Sequence, residues 1–354
     1  MAAATCRLLY DSWRIADAKL YASAAGTIEA LSASRAPAYY QILSVYVRAA
    51  QGEYIRALER ADLAIREMAA TASSAAYLNA LGAKTLSLLH LGRFGEVLRI
   101  VRAGREMAEK NEVDPWLFVF REAWLRSLCF DFEGVRRIGS VSIRSDSDRH
   151  GVQPRVIALV AAGYAKLYEH TFHEAVECFA QVLDTGATPN FFLHWHWRIQ
   201  ARLGLTAALL RSGDLSQARI EAARCLESAH STADPNLRAL ASEMSARVAF
   251  ADHDLRSSRQ HIQDALAVVE NCDLPVAAWR VHAAAWELCE NQEEAERHRA
   301  VARDTLLNIA NSFDADEPLR ASLLSAAPVR HLLAPSVESN GTAAIRQNAF
   351  DRIA

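Results

Sequence analysis

The sequence predicts an all-α, right-handed solenoid of about seven helical hairpins. Three observations lead there. Breaks in the apolar pattern recur at Gly52, Gly92, Phe130, His170, Gly213, His253 and Glu290, with spacings of 40, 38, 40, 43, 40 and 37 residues, the size of two helices with their loops. Small residues fill fixed columns about those breaks. Prolines stand where the first helix of each pair should begin. One hairpin cannot bury its apolar faces alone, so its neighbours must stack on it.

The fifth unit, Thr188 to Leu226, reads most clearly as helix, turn, helix. Pro189 sits where a helix start tolerates a missing N–H, apolar residues recur at three and four, and Ser212-Gly213-Asp214 breaks the run. Two residues past each break lie Tyr54, Phe94, Phe132, Phe172, Leu215, Leu255 and Gln292, six of them apolar and placed to plug the elbow. Five past lie Ala57, Val97, Val135, Ala175, Ala218, Ser258 and Ala295. Twelve past lie Ala64, Gly104, Ser142, Val182, Cys225, Ala265 and Ala302, and seven before lie Val45, Thr85, Ala123, Gly163, Thr206, Ala246 and Ala283. Helices crossing at close range need small side chains where their backbones meet. Pro37, Pro115, Pro154, Pro189, Pro235 and Pro275 fall 15 to 24 residues before a break, and Asp114 and Asp234 can cap the helices that follow. The second repeat, which lacks such a proline, is expected to start near Ser73-Ser74.

These columns divide the chain into an N-terminal helical cap (1–34), the repeat solenoid (35–334) and a polar C-terminal tail (335–354) expected to be flexible. Gly134 and Gly139 interrupt the second helix of repeat three, and a loop rich in Ser, Asp and Arg follows over 140–151.

Composition narrows the function classes. Lys plus Arg number 39 against 42 Asp plus Glu, a net charge of −3, which argues against a general binder of nucleic-acid backbones. The six cysteines are dispersed with no CxxC pair, and no charged leader precedes an apolar core. They read as reduced thiols of a cytoplasmic protein. No apolar run approaches the roughly 20 residues of a membrane span.

The elbow Gly52-Glu53-Tyr54 with Ala57 and Ala64, and Gly213-Asp214-Leu215 with Ala218, resemble the tetratricopeptide repeat. The 40-residue period and the ending from Asp316-Glu317-Pro318 to Leu332-Leu333 are similar to the long helical repeats closing bacterial MalT-type signal-transduction ATPases. That resemblance implies docking or sensing in signal transduction or transcription regulation. The nucleotide-binding part of those regulators and a DNA-binding helix-turn-helix are not recognised in this sequence, so such activities are expected to lie on a separate chain or to have been lost.

Candidate site residues cluster in Phe191-Phe192-Leu193-His194-Trp195-His196-Trp197-Arg198. On a helix Phe191, Trp195, Arg198 and Arg202 share a face, with His194 and Trp197 on the neighbouring one. Aromatics with arginine on an inner wall suit a peptide or an anionic ligand; alternatively both tryptophans pack against repeats four and six. Trp124, one place after the small column, is the further candidate for the groove. His194 and His196 point apart, which argues against a shared metal. Trp279 and Trp286, seven apart, read as core. Gly82-Ala83-Lys84-Thr85 lacks the spacing of a phosphate loop, and no HExxH or GxSxG is present.

The expectation is thus a non-catalytic interaction module without cofactor or metal, binding a peptide or partner protein in its groove through Trp124, His194, Trp195, Trp197, Arg198 and Arg202. Apolar end repeats leave end-to-end stacking of copies open. The rival is a small-molecule sensor or enzyme with a pocket inside the superhelix, and an enclosed pocket with converging ionisable groups would favour it.

Overall fold

A computed structural model describes residue 27 and residues 38–69, 74–142, 152–185 and 194–334. Among these lie sixteen helices and no strand. Seven hairpins follow one another: α1 (Ala38–Ala50) with α2 (Tyr54–Ala69), α3 (Ser74–His90) with α4 (Phe94–Lys110), α5 (Trp116–Leu128) with α6 (Phe132–Ser142), α7 (Val152–Tyr168) with α8 (Phe172–Thr185), α9 (His194–Ser212) with α10 (Leu215–His230), α11 (Pro235–Ala251) with α12 (Leu255–Asn271), and α13 (Pro275–Leu288) with α14 (Gln292–Ala310). Two short helices, α15 (Pro318–Ser325) and α16 (Ala327–Leu333), close the described chain. The expected N-terminal cap, apart from residue 27, lies outside the described residues, as do the tail and residues 143–151 of the loop. The α6 helix does form, yet its 11 residues make it shorter than every other second helix of a pair.

Each of the first six hairpins bends at a residue in the left-handed region, and these are the six breaks read from the sequence: Gly52, Gly92, Phe130, His170, Gly213 and His253, with φ between 59° and 85°. All six close the first helix in the same way. The N–H of Gly213 donates to the carbonyl of Leu210 and that of Asp214 to Leu209, at 3.2 and 3.0 Å, the paired bonds of a Schellman motif. Three elbows then hand over to a cap: Asp131, Asp214 and Asp254 accept from the N–H of Gly134, Gln217 and Ser257 at 3.0, 3.1 and 3.0 Å. The seventh elbow, at Glu290, has no left-handed residue. There Asn291 alone caps α14, accepting from Glu294 at 3.0 Å.

The small columns are buried throughout the described residues, from Ala57, Ala64, Thr85 and Val97 to Thr206, Ala218, Cys225, Ala246 and Ala302. Prolines begin α11 and α13, Pro115 precedes α5, and Pro154 lies in the first turn of α7. Asp234 caps α11, accepting from Asn236 and Leu237, and Asp114 accepts from Trp116 at 2.9 Å. The elbow-plug column behaves less uniformly. Tyr54 and Phe94 are buried, whereas Leu255 is 42% exposed.

That difference has a structural cause: the solenoid curls back on itself. Hairpin one meets hairpin six, where the Tyr54 hydroxyl faces Asp234 at 3.5 Å and a side chain at Gly52 would meet Pro235 at 2.3 Å. Hairpin two meets the end of hairpin seven: Phe94 packs on Phe313 with ring centroids 6.1 Å apart, the Gly95 N–H donates to Ser312 Oγ, and Arg102 forks onto Glu317 at 3.0 and 3.1 Å. One turn therefore takes five hairpins, and the expected open groove is a chamber.

The elbows yield a paired test. At Gly213 a Cβ would meet nothing within 4 Å, so Gly213→Ala isolates the cost of a left-handed backbone and should destabilise by about 1 kcal/mol. The reverse change at the exposed His253, His253→Gly, should stabilise by up to about 1 kcal/mol. Equilibrium urea denaturation of both variants checks the opposite signs.

Candidate functional site

The first helices of the pairs form the inner wall. Hairpins two to seven send residues from α3, α5, α7, α9, α11 and α13 into a space of about 1500 Å³, part of it open to solvent. The lining is mostly apolar and aromatic, with Trp124, Phe130, Tyr164, Tyr168, Phe250 and Trp279 beside Leu89, Leu240 and Met244.

One side of the wall is charged. Glu243 and Arg247, one helical turn apart on α11, pair with each other. Arg247 also donates to Glu287 Oε2 of α13 at 2.8 Å, and Arg280 reaches Glu243 at 3.3 Å. The Glu243 and Glu287 side chains are only 2% and 5% exposed. Two guanidiniums thus serve two buried carboxylates, Arg247 bridging both and Arg280 adding to Glu243. Burial pushes the Glu287 carboxyl up to about 7 against the pull of Arg247, and the neighbouring Glu243 adds to the rise. Its second oxygen, Oε1, is buried without a hydrogen-bond partner, and so is Oδ1 of Asn236 at the other end of α11. Both residues line the chamber.

A second polar group closes the end where hairpins one and six meet. Asp234 lies within 3.8 Å of His196 Nδ1 and accepts its two backbone bonds. His90 stacks on Tyr54 at 4.7 Å, and burial holds its imidazole down to about 4.

The residues singled out in the sequence are distributed differently from the expectation. Trp124 lines the chamber and meets Trp197 edge-on at 5.1 Å. Trp195 and Trp197 are each 4% exposed, so their rings are spent on interhelical packing. Arg198 donates to the Leu183 carbonyl at 2.5 Å, tying α9 to α8, and Arg202 pairs with Glu221 of α10. His194 opens α9, half-buried; Phe191 to Leu193 lie outside the described residues. Of the six candidates, only Trp124 lines the chamber. Trp279, read as core, lines the chamber, while Trp286 lies under the Arg299 guanidinium at 4.9 Å. Lys84 lies within α3 and pairs with Asp62 of α2 at 2.6 Å.

Glu243, Arg247, Arg280 and Glu287 are not among the residues that the sequence pattern singles out. A signal was available: Glu243 interrupts an alanine-rich first helix, ALASEMSARVAFA, ten residues before its break, where the first five repeats carry Ile42, Gly82, Phe120, Val160 and Leu203 and the seventh carries Arg280. Its partner is 44 residues away in sequence at Glu287, and only the packing of α11 on α13 brings them together. The five described cysteines are free thiols; burial pushes that of Cys225 up to about 12. No described helix is long and apolar enough to cross a membrane.

The raised carboxyl has a testable sign. Because Glu287 titrates near 7 when folded and near 4.5 otherwise, the folded state holds a proton that the unfolded chain releases between those values. Its contribution is complete below pH 4.5 and is lost as pH rises to 7. Glu287→Gln should therefore flatten the pH dependence of stability in this window by about 1–3 kcal/mol, measured by urea denaturation from pH 4.5 to 7.5.

No family model matches the chain, and no curated protein matches it. Solved structures do. The crystal structure of NprR in complex with its cognate peptide NprX aligns with a TM-score of 0.59 at 12% identity, over 89% of this chain and 85% of that one. The apo form of RapI aligns at 0.43 and 13% identity over 89% and 85% of the two chains. A tetratricopeptide repeat protein from Parabacteroides merdae aligns at 0.40 and 12%, over 81% and 97%. Only the first likeness is strong enough to carry weight, and at such identity it speaks of fold alone. With the hairpins, elbows and small columns described above, it identifies the chain as a tetratricopeptide-like helical-repeat solenoid.

Proposed function

We propose that this chain is a non-catalytic regulatory module that binds a short extended peptide, free or as a segment of a partner protein, inside the chamber. The observation that carries the reading is a pair of buried acceptors without partners, Asn236 Oδ1 and Glu287 Oε1, on an aromatic wall. Unpaired buried acceptors cost stability until a donor arrives, and a peptide backbone supplies donors at regular intervals. Glu287 stands level with Arg247, eleven residues beyond Asn236 on α11, a rise of about 16 Å. An extended chain covers that in about five residues. NprR, whose structure holds a peptide, lends support by its fold.

Closure of the superhelix favours a short ligand over a folded partner domain, because the hairpins that meet narrow the space in front of the lining. It also favours a small effector more than an open groove would. The enzyme alternative has less to support it: the ionisable groups on the wall are engaged with one another. A signal-transducing role, implied by the resemblance of the repeats, and a cytoplasmic location, read from the dispersed cysteines, belong to the same proposal.

Trp279 is the cleanest probe, being half-buried on the chamber wall. A random pentapeptide pool passed over immobilised protein should leave retained sequences on the wild type. Trp279→Ala should lose about 2 kcal/mol or more of that affinity while its melting temperature stays near that of the wild type. Equal retention by both proteins would remove the chamber as the site.

A further inference from the structure

We propose that Arg280 anchors a carboxylate of the bound peptide, either its C-terminal carboxylate or an aspartyl or glutamyl side chain. The inference rests on the peptide reading above and adds the polarity of the ligand. On α13 the chamber lining recurs at Val276, Arg280, Ala283 and Glu287, with Trp279 beside them, the three-and-four spacing of one helical face. Arg280 therefore stands within the face that looks into the chamber.

The four charged groups of the wall differ in what a ligand can reach. The side chains of Glu243, Glu287 and Arg247 are 2%, 5% and 12% exposed, whereas that of Arg280 is 28% exposed. Glu243 has both oxygens occupied, Oε1 by Arg247 and Oε2 by Arg280, and Arg247 is spread over two carboxylates through Nε and Nη1. Arg280 commits only Nη2 to Glu243, in a long bond of 3.3 Å, while a guanidinium carries five N–H donors in a planar fork. What the cluster presents to the chamber is thus donors rather than acceptors. A carboxylate accepts two parallel N–H bonds from such a fork, and charge-assisted bonds of this kind are roughly twice as strong as neutral ones.

The charged and titratable groups around Arg280 are Glu243 and Arg247 of α11 and Glu287 two turns on along its own helix, with Tyr164 and Tyr168 of α7 and Arg211 of α9 on the adjoining wall. Burial pushes both phenols up, against the opposing charge of Arg280, so neither is an anion at neutral pH. Tyr164 spends its hydroxyl on the Gln200 carbonyl at 3.2 Å. Two guanidiniums answer two carboxylates here, but Glu287 keeps its proton up to about pH 7. Near neutrality the group is therefore partly cationic, on a chain whose net charge is −3, and a ligand carboxylate completes the balance.

The test uses the full chain, immobilised, and two random pentapeptide pools, both N-acetylated and free of histidine, one with a free carboxyl terminus and one amidated, with retained members sequenced by mass spectrometry. At pH 7 the wild type should enrich members carrying a carboxylate about tenfold or more over neutral ones. Enrichment of Asp or Glu from the amidated pool assigns the anchor to a side chain; retention of free-terminus members without Asp or Glu assigns it to the terminus. Arg280→Gln, which keeps an N–H donor for Glu243, should lose the carboxylate preference and keep the aromatic and apolar one. Should that variant fail to fold, the wild type decides by pH. Peptide carboxylates stay ionised at both pH 8 and pH 6, while Glu287 gains its proton between them, so the enrichment should rise about threefold or more. Retention by the wild type with no carboxylate preference, a preference that survives in folded Arg280→Gln, or an enrichment that does not rise from pH 8 to pH 6, overturns the inference and leaves the chamber reading standing. If neither pool is retained, the peptide reading fails and takes this inference with it.

Discussion

A single backbone residue at positive φ, repeated at six elbows, is the constraint from which the rest of the architecture follows. The left-handed residue lets the two N–H groups that follow turn back onto the last carbonyls of the first helix, which fixes where the second helix must leave. The same closure recurs at the first six hairpins, so each sends its second helix away in the same manner. Small residues at Ala57, Ala218, Thr206 and Ala246 let the helices approach closely enough for the array to curl. Curvature is therefore written into elbows and alanine columns rather than into any one interface.

Accumulated curvature brings the first hairpins onto the last. Gly52 and Gly95 have no side chain where Pro235 and Ser312 come closest, and Asp234 serves the cap of α11 while facing Tyr54 and His196. Closure turns the first helices of hairpins two to seven inward, and among their lining residues is the charged wall of Glu243, Arg247, Arg280 and Glu287. Desolvation then acts on groups that in an open groove would be hydrated, and Glu287 retains a proton near neutrality as a result.

Much of the fold was legible in the sequence because its signals are local. Gly213 marks a break in helical periodicity, Pro235 and Pro275 mark helix starts, and Ala218 or Ala302 mark close crossings. Even Phe130, His170 and His253 were readable as elbows, although none is a glycine, because the period located them. The site was far less legible. Trp195 and Trp197 attracted notice as aromatics beside arginine, yet a helix face alone does not say whether a neighbour covers it, and here neighbouring helices do. Glu243 and Glu287 were invisible as a pair because their meeting depends on α11 packing against α13. Closure itself depends on contacts between hairpins five units apart, which no local pattern encodes.

The meeting of distant hairpins also changes how the chain must acquire its structure. In an unclosed array each unit needs only the one beside it, so order can spread from any point and be lost unit by unit. Here the Tyr54–Asp234 contact joins residues 180 positions apart, and Arg102 and Glu317 are separated by 215. Those links form only after the intervening loop entropy has been overcome, so assembly is slowed at its final step. Once made, they bind the two ends into a common cooperative unit, and melting at either terminus is felt across the whole ring.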